Sequence, residues 1–259
     1  MEIQKSFAVA KKDIREVFSS ISIFGPMFGI PLAFSALLPI FSLYIAINEA
    51  PSIALAINLS GVSQALPFFK NIAFMTYFSI NVLGPIFMTM PIVTSGVIAA
   101  DSFAGEKERR TAESLLLSPV TKSELLLGKI LATFIPAVLM TFAAFAIYGA
   151  IVNILSYAYF GAYILPTLSW LTMLGAVPLL ALAPISLVVL ISSRVKGIKE
   201  AQQLTSLLVL PLLILPFSSL LGLANLTVVF LLELIASLVI IDLILFYVSV
   251  ATFKREALI

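Results

Sequence analysis

Two carboxylates, Glu233 and Asp242, are the only ionisable residues lying well inside the long apolar stretches of this 259-residue chain. The chain has no Cys and no His, which excludes thiol nucleophiles, imidazole bases, disulfides and the usual zinc sites. Any metal or hydrolytic chemistry would have to run on carboxylates alone. An ionised carboxylate at the middle of a bilayer costs about 2.5–3.5 kcal/mol on insertion scales, so each must face protein or water, or hold a proton. Their spacing of nine residues, at about 100° per residue, sets them on opposite faces of a straight helix. They cannot form one acid–base pair within one chain, which argues against an intramembrane enzyme. Structural pairing is the plainer expectation for each, and a translocation path or gate is the functional one.

A second concentration of chemistry lies in residues 101–130, DSFAGEKERRTAESLLLSPVTKSELLLGKI, a densely charged segment in a chain that otherwise avoids charge. Pro119 disfavours helical geometry at Ser118, so a short helix starting near 105 or 111 is expected to end at 117. Thr121 followed by Glu124 fits a capping box, in which hydroxyl and carboxylate satisfy exposed backbone N–H groups, and the next long helix starts there. Leu115, Leu116 and Leu117 then stand beside a mixed-charge rim. That arrangement suits docking in a groove on another protein, or folding back onto the bilayer edge. Gly128-Lys129 is followed by Ile130 and lacks the earlier glycine of a phosphate cradle, so ATP hydrolysis by a P-loop route is not expected of this chain.

The elements that must carry these residues follow from composition. Hydrophobic residues make up 61% and charged residues 11%, where soluble domains carry about 25% charged. A bilayer core asks for roughly 20 apolar residues per crossing. Six stretches qualify, at about 21–47, 72–100, 124–152, 164–192, 204–224 and 226–252. They are continuous rather than alternating, which excludes strands of an outer-membrane barrel. The expected fold is an all-α integral membrane protein with six transmembrane helices, residues 21–259, preceded by an amphipathic helix over 1–20 and interrupted by a loop at 101–123.

Of the 15 Lys and Arg residues, all but Lys70 fall in the terminal segments or in the loops after the second and fourth stretches, or at the foot of the third. The excess of basic residues in cytoplasmic loops predicts a multi-pass protein with both termini cytoplasmic. The net charge of +2 reflects this asymmetry and gives no reason to expect nucleic-acid binding. Tyr44, Tyr157, Tyr159, Tyr163 and Trp170 cluster toward the other side and are expected as headgroup-layer anchors. Near the N-terminus, Ile3, Phe7, Ala10, Ile14 and Val17 recur on one helical face with charges elsewhere. Such a helix is expected to lie in the membrane interface against anionic lipid, or to act as an elbow passing motion from a cytoplasmic partner into the first span.

Glu106-x-Glu108-x-x-Thr111, Glu113-x-Leu115-Leu116, Ser118-Pro119-Val120 and Glu124-Leu125-Leu126-x-Gly128-Lys129 together resemble the signature of ATP-binding-cassette type-2 exporter permeases. The resemblance covers some twenty-five residues, and their place after the second span agrees with it. One departure is Arg110, where the family usually has Gly. The resemblance implies a permease subunit without its own cofactor. A separate ATPase would bind ATP and Mg, and a second permease subunit would complete a homodimer or heterodimer. It also implies that a coupling helix carrying Glu106, Glu108, Arg109, Thr111, Leu115, Leu116, Pro119 and Glu124 docks on that ATPase. The competing expectation is an ATP-independent secondary carrier or channel, which would call for ion-coupling charges in several spans or paired broken helices.

Overall fold

The computed structural model describes residues 3–19, 24–48, 67–108, 121–192, 194–195 and 197–252. Among these the structure is helical apart from short connections, without strands. A 17-residue helix, α1 (Ile3–Ser19), precedes six helices long and apolar enough to cross a membrane. These are α2 (Met27–Asn48), α3 (Ile72–Gly105), α4 (Lys122–Phe160), α5 (Leu168–Ile191), α6 (Ile198–Leu220) and α7 (Val228–Thr252). The protein is an all-α integral membrane protein.

Helix α3 is the centre of the bundle. In its most apolar window 78% of the residues are buried, against 11% for α7, which places α3 in the core and α7 at the margin. Helices α4, α5 and α6 pack on α3, α2 packs on α4, and α7 packs on α5. Glycines in α3 set two of these approaches. A Cβ at Gly84 would lie 2.7 Å from Met173 Sδ of α5, and one at Gly96 would lie 3.0 Å from Thr205 Oγ1 of α6. Phe87, Phe145, Tyr148 and Trp170 form an aromatic cluster joining α3, α4 and α5, and Tyr148 Oη donates to Ser79 Oγ at 2.9 Å. Three segments are wound as wider π-type turns: Gly25–Gly29, Ser79–Leu83 and Ala100–Gly105. The first contains Pro26 and the second runs directly into Gly84-Pro85, so local rewinding accommodates residues that cannot donate to the helical ladder.

Several expectations change here. Trp170 is buried at 3% exposure and belongs to the aromatic core, whereas Tyr44, Tyr157, Tyr159 and Tyr163 are exposed. Composition and position cannot separate a belt tryptophan from a core one; only the cluster of ring partners does. Helix α4 runs 39 residues, about 58 Å at 1.5 Å per residue, so it extends beyond the roughly 30 Å hydrocarbon layer and its apolar window understates it. Helix α6 begins at Ile198, upstream of the apolar window at 204, because its first two turns are amphipathic and are capped from elsewhere in the chain. The α6–α7 connection occupies 221–227. It is pinned from α3 by Asn81 Oδ1, which accepts from Leu226 N at 2.6 Å, and by Tyr77 Oη, which donates to the Ser219 carbonyl at 2.7 Å.

Candidate functional site

The basic end of the bundle is where the charged segment is rooted. The last turn of α3 is wound wide over Ala100–Gly105 and continues into the short helix Glu106–Glu108. The chain resumes at Thr121, the N-cap of α4. The capping box expected from sequence is present: Thr121 N donates to Glu124 Oε2 at 2.9 Å, and Glu124 N donates to Thr121 Oγ1 at 3.4 Å. Arg109, Thr111, Leu115, Leu116 and Pro119 lie outside the described residues. The two roots of the segment that carries them are therefore defined, one at Glu106 and Glu108, the other at Thr121 and Glu124.

These roots meet through Lys129, about two turns into α4. Its side chain has no exposed surface, and its Nζ lies 2.6 Å from Glu106 Oε2. The ammonium also donates to the Ser102 carbonyl and to Ser102 Oγ at 3.4 Å, and it sits 5.2 Å from the centre of the Phe103 ring. Three oxygens and an aromatic face thus replace its water. A wide turn leaves a backbone carbonyl available for such a bond, and the Ser102 carbonyl lies in one. Ser102 Oγ in turn donates to Asp13 Oδ2 of α1 at 3.2 Å, and Lys12 approaches Asp13 at 3.9 Å. One buried cation consequently joins α1, α3 and α4. Burial pushes the Glu106 carboxyl above the ordinary glutamate range, and the Lys129 ammonium opposes that shift.

Two glycines permit the close approaches around this cluster. A Cβ at Gly128 would lie 2.7 Å from the Ser6 carbonyl and 2.7 Å from Val9 Cβ, so α1 rests directly on the α4 backbone. Glu108 Oε2 accepts from Ile198 N at 3.0 Å, placing a carboxylate at the positive end of α6. A Cβ at Gly197 would lie 2.6 Å from that oxygen. The pair Gly128-Lys129, poor as a phosphate cradle, thus has a structural use: the glycine admits α1 and the lysine holds the cluster.

The remaining sequence candidates are not drawn into this site. On α1, Phe7 is exposed, Ile14 is half-buried, and Val17 is buried against Met27 and Ile98; the side chain of Ile3 lies outside the described residues. The face of α1 turned inward carries Ser6, Ala10, Asp13 and Val17, so it is rotated from the purely apolar stripe and includes a carboxylate. Glu233 is exposed on α7. Asp242 is 6% exposed, on the α7 stripe with Leu231 and Ser249, and neither of its oxygens has a hydrogen-bond partner among the described residues. Among the described residues, a cavity of about 440 Å³ between α4 and α5 is lined by Phe142, Asn153, Pro166 and Trp170. Another of about 260 Å³ between α2 and α3 is lined by Phe34, Thr89, Met90 and Thr94. Neither includes Glu233 or Asp242.

Lys129, Ser102 and Asp13 escape a reading of the sequence alone. The available signal was a lysine inside an apolar run, but it reads equally as a topological charge at a helix foot.

Compared with known families, residues 7–249 match the profile of ABC-2 family transporter proteins. The chain belongs to that family. No curated protein matches it. As an ABC-2 permease it is a membrane component of an ABC transporter and associates with an ABC ATPase. The match runs from within α1 to within α7.

Proposed function

We propose that this chain is the permease subunit of an ATP-driven exporter in the cell membrane. Its 101–123 loop, on the cytoplasmic side with both termini, docks on a separate ATPase. ATP and Mg bind that partner, and hydrolysis there drives translocation. A second permease copy or a similar subunit completes the pathway, with α1 at the membrane interface against lipid. Glu106, Glu108, Arg109, Thr111, Leu115, Leu116, Pro119 and Glu124 form the docking region, while Glu233 and Asp242 are candidates for the path or gate.

The observation that carries this reading is that both roots of the loop are built into the bundle rather than hung from it. Glu106 is tied to Lys129, Glu108 to the start of α6, and Thr121 to Glu124. A loop held this way transmits displacement to the spans instead of absorbing it, and a packed bundle answers by switching between discrete packings.

The test is co-purification of the ATPase with Leu116→Arg. Leu116 is preferred to Glu108 for this purpose, because Glu108 also caps α6. Loss of the ATPase from a variant that inserts and elutes as wild type does is the expected result; an undiminished complex contradicts the docking assignment.

A further inference from the structure

The buried cluster reaches further than the docking loop. Lys129 contacts Glu106 at one root of the loop from a helix that starts at the other root. Through Ser102 the same cluster holds Asp13, and Gly128 beside it lets α1 lie on α4 without a gap. The far end of α1 is then committed as well: Val17 is buried with Met27 of α2 and Ile98 of α3. An unbroken chain of contacts therefore runs from the loop roots through Lys129, Ser102 and Asp13 to α1, and from Val17 to the start of the first span.

From this geometry we infer that Lys129 is a positioning residue for energy coupling, locking α1 to both roots of the docking loop so that movement of the loop carries α1 and the start of α2 with it. The inference rests on the docking reading above and assigns it a route. Coulombic attraction and hydrogen bonding around an ammonium with no exposed surface resist separation better than in a solvent-exposed pair. Replacing the ammonium by an apolar chain leaves the helices adjacent but removes what makes them move together. Asp13 is the branch to α1 alone, and its removal leaves the α3–α4 junction intact.

The absence of native Cys allows unique spin-label pairs. In the permease–ATPase complex, one pair joins Ala8→Cys on α1 to Ala236→Cys on α7, and a second joins Ser123→Cys at the loop root to Ala236→Cys; all three positions are exposed. Distances are measured without nucleotide and after trapping with ATP and vanadate. In wild type both pairs are expected to shift. In Lys129→Met and in Asp13→Ala the Ala8 pair is expected to stay fixed while the Ser123 pair still shifts, showing that the ATPase remains engaged. An Ala8 shift of wild-type size in both variants overturns the role given to Lys129. Should Lys129→Met not fold, Asp13→Ala, which lies at the edge of the cluster, decides. A wild-type Ser123 pair that does not move overturns the docking reading instead.

Discussion

Lys129 and Glu106 stand on opposite sides of the docking loop in sequence and 2.6 Å apart in space, with the ammonium fully withdrawn from solvent. Withdrawing a charge costs several kcal/mol, which the paired oxygens offset only if all of them stay in place. The pair is therefore weak evidence for stability and good evidence for a fixed geometry.

Its removal has a definite energetic sign. Lys129→Met leaves Glu106 buried without its cation and is expected to destabilise the permease by about 3–5 kcal/mol, read from denaturation in detergent. Lys129→Met combined with Glu106→Gln should recover part of that loss, because no uncompensated charge remains.

The same variant should respond to pH. Burial raises the Glu106 carboxyl in the folded state, so the folded state binds the proton more tightly than the unfolded one, and stability falls as pH rises through the folded-state value. Without Lys129 to oppose that shift the effect grows. Melting temperature of Lys129→Met is expected to rise on acidification from neutral pH by more than that of wild type; an equal or opposite response contradicts the assignment of Glu106 as the ionised partner.

Gly128→Ala forces a Cβ against the Ser6 carbonyl and Val9 of α1. Overpacking of this kind costs about 1–3 kcal/mol, and here relief comes by lifting α1 away. Trypsin should then cut after Lys11, Lys12 and Arg15 faster than in wild type. Gly175→Ala, where no atom lies within 4 Å of the new Cβ, should leave the rate unchanged.

Glu108 and Gly197 should behave as one interaction. Glu108→Ala removes the acceptor for Ile198 N, at about 1 kcal/mol for a helix cap, and hydrogen exchange at the start of α6 should quicken. Gly197→Ala displaces the same carboxylate and should have a similar effect. The double variant is expected to be less than additive, as contacting residues are.

Much of the architecture is legible in the residues themselves. The spans are written in continuous apolar runs, and the α4 start is written in Thr121 and Glu124, because bilayer thickness and helix capping are local rules. What stays hidden is pairing at a distance. Nothing near Lys129 in sequence announces Glu106 or Asp13 as its surroundings, and nothing in the order of the rings says that Trp170 stacks on Tyr148 at 5.2 Å rather than sitting among headgroups. The opposite facing of Glu233 and Asp242 was predictable from helical rotation alone, and the exposed Glu233 and buried Asp242 agree with it. Helix α6 begins early for a reason that no window average contains, since its cap comes from Glu108 in another loop.

The most direct measurement is site-specific cross-linking in membrane vesicles of known orientation, using Leu116→Cys between α3 and α4 and Leu223→Cys, exposed at 77%, between α6 and α7. The predicted result is a cross-link from position 116 to an ATP-hydrolysing subunit on the cytoplasmic face, with none from position 223. Labelling of position 116 by an impermeant thiol reagent from the outer face, with no such cross-link, would contradict the account.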